Sequence, residues 1–151
     1  VVKTIGFLKD SAKAAIDAQE TFSKFDVVFS GMGSAAESAA KQFQDSFDLA
    51  GVTAKKMLSD TGNLLVGFGA TNEQALDLSV SVNTLASDLA SFTNYSGGAE
   101  GASQALTKAM LGERESIKQL GIVIREEDIN QKLLARGQQD LIGNALNLAK
   151  A

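Results

Sequence analysis

Between Ala75 and Phe92 the apolar residues Ala75, Leu78, Val82, Leu85, Leu89 and Phe92 recur alternately three and four positions apart. That spacing gathers them on one face of a helix. Asp77, Ser81, Asn83, Thr84, Ser87 and Asp88 occupy the other face. Thr71, with Gln74 three residues later, forms a capping box where the pattern begins. A helix over 72–94 would be about 34 Å long. Its apolar stripe is expected to pack inside the molecule rather than to serve as an oligomer seam.

The remaining segments read in the same way. Leu8, Ala12, Ala15, Ile16, Phe22, Phe25 and Phe29 predict a helix over 7–29, ended by Gly31-Met32-Gly33. Ser34 and Glu37 suggest a second capping box. A helix over 35–58 then turns Ala36, Ala39, Ala40, Phe43, Phe47, Ala54 and Met57 inward, with Gly51 inside it as a bend. Ser59-Asp60-Thr61-Gly62 reads as a turn. The apolar, glycine-rich 63–69 reads as a segment folded back on the core. After a turn at Tyr95–Gly98, a helix over 100–111 presents Ala102, Ala105, Leu106 and Ala109 and stops at Gly112, where a C′ glycine belongs. A helical turn or two over 113–120 ends at Gly121. Ile122-Val123-Ile124 is expected to be a short extended connector. Glu126, Glu127 and Asp128 suit the N-terminus of a helix reaching Gly137, and 138–150 predicts a last helix.

The fold expected is all-α: a partly elongated bundle of about six or seven helices joined by glycine-rich breaks. Three parts are expected: a helical hairpin at 1–60, a core block at 61–137 and a C-terminal helix at 138–151 that continues into a parent chain. The chain opens on Val1 without a leader pattern, and so is expected to be a piece of a longer protein.

Composition narrows the chemistry. Aromatics make up only 6% of the chain and alanine is abundant, so each helix buries little area and the core is thin for 151 residues. A net charge of −4 without a Lys/Arg cluster disfavours nucleic-acid binding. No apolar run is long enough to span a membrane. His 0 and Cys 0 exclude a Ser-His-Asp triad, a cysteine nucleophile and any His or Cys metal site. Pro 0 leaves glycine to supply the breaks.

Three motifs compete for a chemical role. Gly31-x-Gly33-x-x-Ala36 after Asp26–Ser30 imitates a dinucleotide fingerprint, but that motif needs a parallel sheet and no second strand follows. Glu113-Arg114-Glu115 could be an acid–base pair around an arginine. Placed after a C′ glycine, it reads better as the charged start of the next helix. Glu126-Glu127-Asp128 reads likewise, since a cation there would need further oxygen ligands. Asn94-Tyr95-Ser96 is a formal glycosylation sequon and reads as a turn. No catalytic, cofactor-binding or metal-ligating residue is assigned.

One resemblance emerges from the ordered set NLLVGFG (63–69), ASFTNYSGG (90–98), ALTKAMLGERESIKQLG (105–121) and the acidic helix start at Glu126. Together, over 61–137, these resemble the phage tail tape measure protein family. The resemblance implies a structural, non-enzymatic segment of a protein that sets tail length and occupies the tail tube. It implies self-association and contact with the tube protein, assembly chaperones and tail-tip proteins. The place implied is the virion tail, and the bacterial cytoplasm during assembly. The alternatives are a cell-wall hydrolase using Glu113 or Glu115, and a helical adhesin or secreted-effector segment.

Overall fold

A computed structural model describes residues 2–151, with side chains from Lys9 onward. The elements are α1 (Val2–Val28), α2 (Ser34–Phe47), α3 (Gly51–Gly67), α4 (Asn72–Thr93), α5 (Gly98–Met110), a 3₁₀ turn (Ser116–Leu120), α6 (Glu126–Ala135) and α7 (Gly143–Lys150). No strand occurs among the described residues, and the protein is an all-α multi-helix bundle. The expected stripe on α1 includes Leu8, whose side chain lies outside the described set. From Lys9 to Asp17 every residue of α1 is exposed, although Ala14 and Asp17 share a shallow groove with Val52 and Lys56 of α3.

The ends of α4 and α5 follow the expected chemistry. The Thr71 hydroxyl accepts from the Gln74 amide at 3.2 Å, and the Gln74 side chain accepts from the Thr71 amide at 3.0 Å. Two of the otherwise unpaired N–H groups at the start of the helix are thereby satisfied. Beyond α5, Gly112 takes φ +96, a conformation that costs a residue with a Cβ.

The middle of the first half departs from expectation. The helix expected over 35–58 is two helices, because Asp48 adopts the left-handed conformation (φ 50) and α2 ends there. Gly51 opens α3 rather than bending a longer helix. Ser59–Gly62 is not a turn, and 63–67 is not a folded-back loop: both belong to α3. The boundary expected between residues 60 and 61 thus falls in the middle of a helix. Gly33 takes the N-cap position of α2 with no side-chain cap bond, so Ser34 and Glu37 form no capping box. The last helix is shorter than 138–150, beginning at Gly143.

The core has two centres. Phe25 of α1 and Phe29 in the turn just after it, packed edge to face at 5.0 Å, meet Phe43 of α2, Met57, Leu58 and Leu65 of α3, and Leu76 of α4. The second centre joins Ala86 and Ala90 of α4 to Ala102, Ala105, Leu106 and Ala109 of α5 and to Ile117 and Leu120 of the 3₁₀ turn. Alanines predominate in this second cluster because they let helix backbones come close. Close approach also explains Gly62: a Cβ there would stand 2.6 Å from the Phe29 ring.

Candidate interaction surface

The face α4 turns inward is the small and polar one. Its buried residues are Ala75, Leu76, Ser79, Asn83, Ala86, Ser87 and Ala90. Asn83 is fully buried and ties three helices together. Its amide donates to the Met57 carbonyl at 3.2 Å and the Thr61 hydroxyl at 3.1 Å on α3, and to the Ser79 carbonyl at 2.8 Å on its own helix. Its side-chain carbonyl accepts from Ser103 of α5. Thr61 and the α5 residue Thr107 share a hydroxyl hydrogen bond at 3.2 Å. Polar groups this deep are tolerated because nearly every donor has an acceptor.

Of the stripe expected in the core, Ala75 is buried as expected, but the larger residues that follow turn outward or to the edge. Leu78 is 40% exposed, Leu85 48% and Phe92 89%, while Val82 and Leu89 are half-buried at the edge of the second cluster. At 3.6 residues per turn these five fall within an arc of about 80°. The exposed Asp77 and Asp88 follow the stripe on the side facing α2, where Asp77 shares a groove with Phe43 and Phe47.

On the opposite side Val82 and Leu85 form one wall of a groove of about 300 Å³. Leu106, Ala109 and Met110 of α5 and Ile122, Ile124 and Ile129 beyond it supply the rest of its apolar lining. Arg114 and Lys150 line the same groove. Glu126 accepts from Arg114 at 2.9 Å and from Lys150 at 2.7 Å. The hydrogen bond from Lys150, then that from Arg114, holds the Glu126 carboxyl below its ordinary value. Two cations against one anion leave this edge with net positive charge.

The charged motifs resolve as junctions. Glu113 is exposed; Glu115 is 87% exposed in its side chain, precedes the 3₁₀ turn and accepts from Lys118 within it at 2.8 Å. Neither sits in an enclosed cleft with the other, the arrangement that lets two carboxylates take separate acid and base roles. Arg114 does not pair with either neighbour but spans to Glu126 on α6. Asp128 accepts from the Arg125 amide at 3.3 Å, as an acidic residue in a first helical turn can. Residues 26–30, read as a possible strand before Gly31 and Gly33, are the end of α1 and the turn that follows it, so no strand leads into that glycine pair. Asn94 and Tyr95 form the turn after α4, with Asn94 left-handed at φ 52. No group of three potential metal ligands occurs among the described residues, and no described helix is long and apolar enough to cross a membrane.

A second charged feature joins α1, α3 and α5. Lys24 contacts Asp60; Lys56 reaches Asp60 at 3.3 Å and Glu100 at 2.7 Å. The Glu100 hydrogen bond, partly opposed by burial, raises Lys56 above the usual lysine value. Sequence reasoning assigned no role to Asn83 or to this ion chain. The signal for Asn83 was available as Ser79 and Ser87, four residues before and after it on the same helix face.

Comparisons with protein-family models, with curated proteins and with solved structures find no match to this chain.

Proposed function

We propose that this chain is a structural module of a phage tail tape measure protein, a helical part of the ruler that sets tail length. The observation that carries the reading is the ordered resemblance over 61–137, whose segments fall on the second half of α3, on α4, α5 and α6, and on the junctions between them. Its most charged portion, Glu113-Arg114-Glu115, lies at the junction after α5. A scaffold role is consistent with helices joined end to end by turns. Within this reading the chain associates with itself, with the tube protein, with assembly chaperones and with tail-tip proteins, in the virion tail and in the host cytoplasm during assembly.

The test is tail length by electron microscopy after an in-frame deletion in the parent gene. The deletion removes a helical stretch outside this block, so that assembly survives. Tails shortened by about 1.5 Å per deleted residue are expected. Tails of unchanged length would remove the ruler function.

A further inference from the structure

We propose that the outward face of α4 is the seam of a parallel, two-fold symmetric dimer of this chain. The inference stands on the geometry of α4 and its flanks, independently of the tail reading.

Leu78, Val82, Leu85, Leu89 and Phe92 follow one another by four, three, four and three residues, the a/d register of a coiled-coil seam. The register persists for two full heptads, yet none of its three most exposed members is used by the chain's own core. Helix α4 packs inward through alanines, serines, Leu76 and Asn83, which leaves Leu78, Leu85 and Phe92 free to meet another helix, with Val82 and Leu89 at the edge between that face and the core. Soluble monomers seldom leave a continuous apolar strip of this kind uncovered.

The charges beside the seam identify the occupant and its direction. One edge is acidic, Asp77 and Asp88; the other carries Arg114 and Lys150 with only Glu126 between them. Asp77 and Asp88 lie one to two turns either side of Val82, the level at which the basic edge begins. A two-fold axis running along the seam swaps left and right while preserving height. It brings the acidic edge of each copy against the basic edge of the other. An axis across the seam would make the helices antiparallel and set like charges together. The surface is thus self-complementary in one orientation, as an isologous interface requires. Val82 at an a position with Leu85 at the next d position matches the preference of parallel two-stranded packing. Ile122 and Ile124 extend the apolar area beside the groove.

Sedimentation equilibrium of the purified chain tests the assembly. A dimer is expected, with Leu85→Glu raising its dissociation constant roughly 30-fold or more. Circular dichroism should show unchanged helicity, because Leu85 is half exposed in the single copy. The absence of native cysteine makes orientation separately measurable. Leu78→Cys and Phe92→Cys, prepared singly, should each form a disulfide-linked homodimer under mild oxidation. In an antiparallel pair the two positions, about 21 Å apart along the helix, would cross-link only when the variants are mixed. A monomer at all concentrations, a dimer indifferent to Leu85→Glu, or cross-linking confined to the mixture would each overturn the proposal. Tail length is read by none of these measurements, so this proposal and the ruler reading fail separately.

Discussion

Asn83 shows how one polar side chain can organise an alanine-rich interior. It bonds to α3, α4 and α5 at once, and removing it strands the groups that faced it. An unpaired buried donor or acceptor costs about 1–3 kcal/mol. Asn83→Ala is therefore expected to destabilise the fold by roughly 3 kcal/mol, adding a small cavity to the lost bonds. Asn83→Leu restores volume but leaves the Ser103 hydroxyl without its acceptor. Adding Ser103→Ala should recover about 1 kcal/mol of that loss, which a double-mutant cycle in urea would measure. If Asn83→Leu alone matched the parent protein, the network would contribute no stability. The case also explains why sequence pattern located the helix and not its inward face. Hydropathy assigns Leu78, Leu85 and Phe92 to the core, but the close α3–α4–α5 packing needs small residues there. Those residues are polar enough to satisfy one another.

Among the elements, legibility depended on whether the ending signal was chemical or conformational. Thr71 and Gln74 announce the start of α4, and the reciprocal bonds form as expected. Gly112 and Gly121 likewise mark stops after α5 and the 3₁₀ turn. The break between α2 and α3 has no such mark. It rests on Asp48 in a left-handed conformation, which Asp adopts more readily than most residues but which no local motif demands. Conversely, Thr61-Gly62 resembles a turn, yet it lies within α3: Thr61 bonds to Asn83 and Gly62 admits the Phe29 ring. The two expected capping boxes make a direct comparison. Thr71→Ala should cost about 1 kcal/mol. Ser34→Ala should change stability by less than ~0.5 kcal/mol, because no side chain caps α2. Equal losses in thermal melts of the two variants would show that the capping geometry of α4 carries no special weight.

At the scale of the whole molecule, Glu126 acts as the charged fastening of the C-terminal helices. Through it, Arg114 at the α5 junction and Lys150 of α7 are drawn to the first turn of α6. Otherwise α6 contributes a single buried residue, Leu133, and α7 none, so this fastening matters more than its size suggests. The sign of its pH dependence follows from the Glu126 carboxyl titrating below its ordinary value of 4.5 in the folded chain. Its contribution is fully present above pH 4.5 and is lost as pH falls through the lower folded value. Because Glu126 and its two cations are partly exposed, solvent limits their contribution to roughly 1 kcal/mol, equivalent to about a fivefold change in local opening. Hydrogen exchange, corrected for the intrinsic effect of pH, should therefore show α6 and α7 losing protection on acidification before α3, α4 and α5. Glu126→Gln at neutral pH should reproduce that selective loss. Uniform loosening of all helices in the variant would instead mean that Glu126 supports the entire bundle. Unchanged exchange in α6 and α7 would mean that Leu133 and the apolar groove hold them without help from charge. A selective loss would leave the α3–α5 body and the seam on α4 in place while only the basic edge came free. Any dimer formed through that seam should then weaken on acidification without dissociating into unfolded chains.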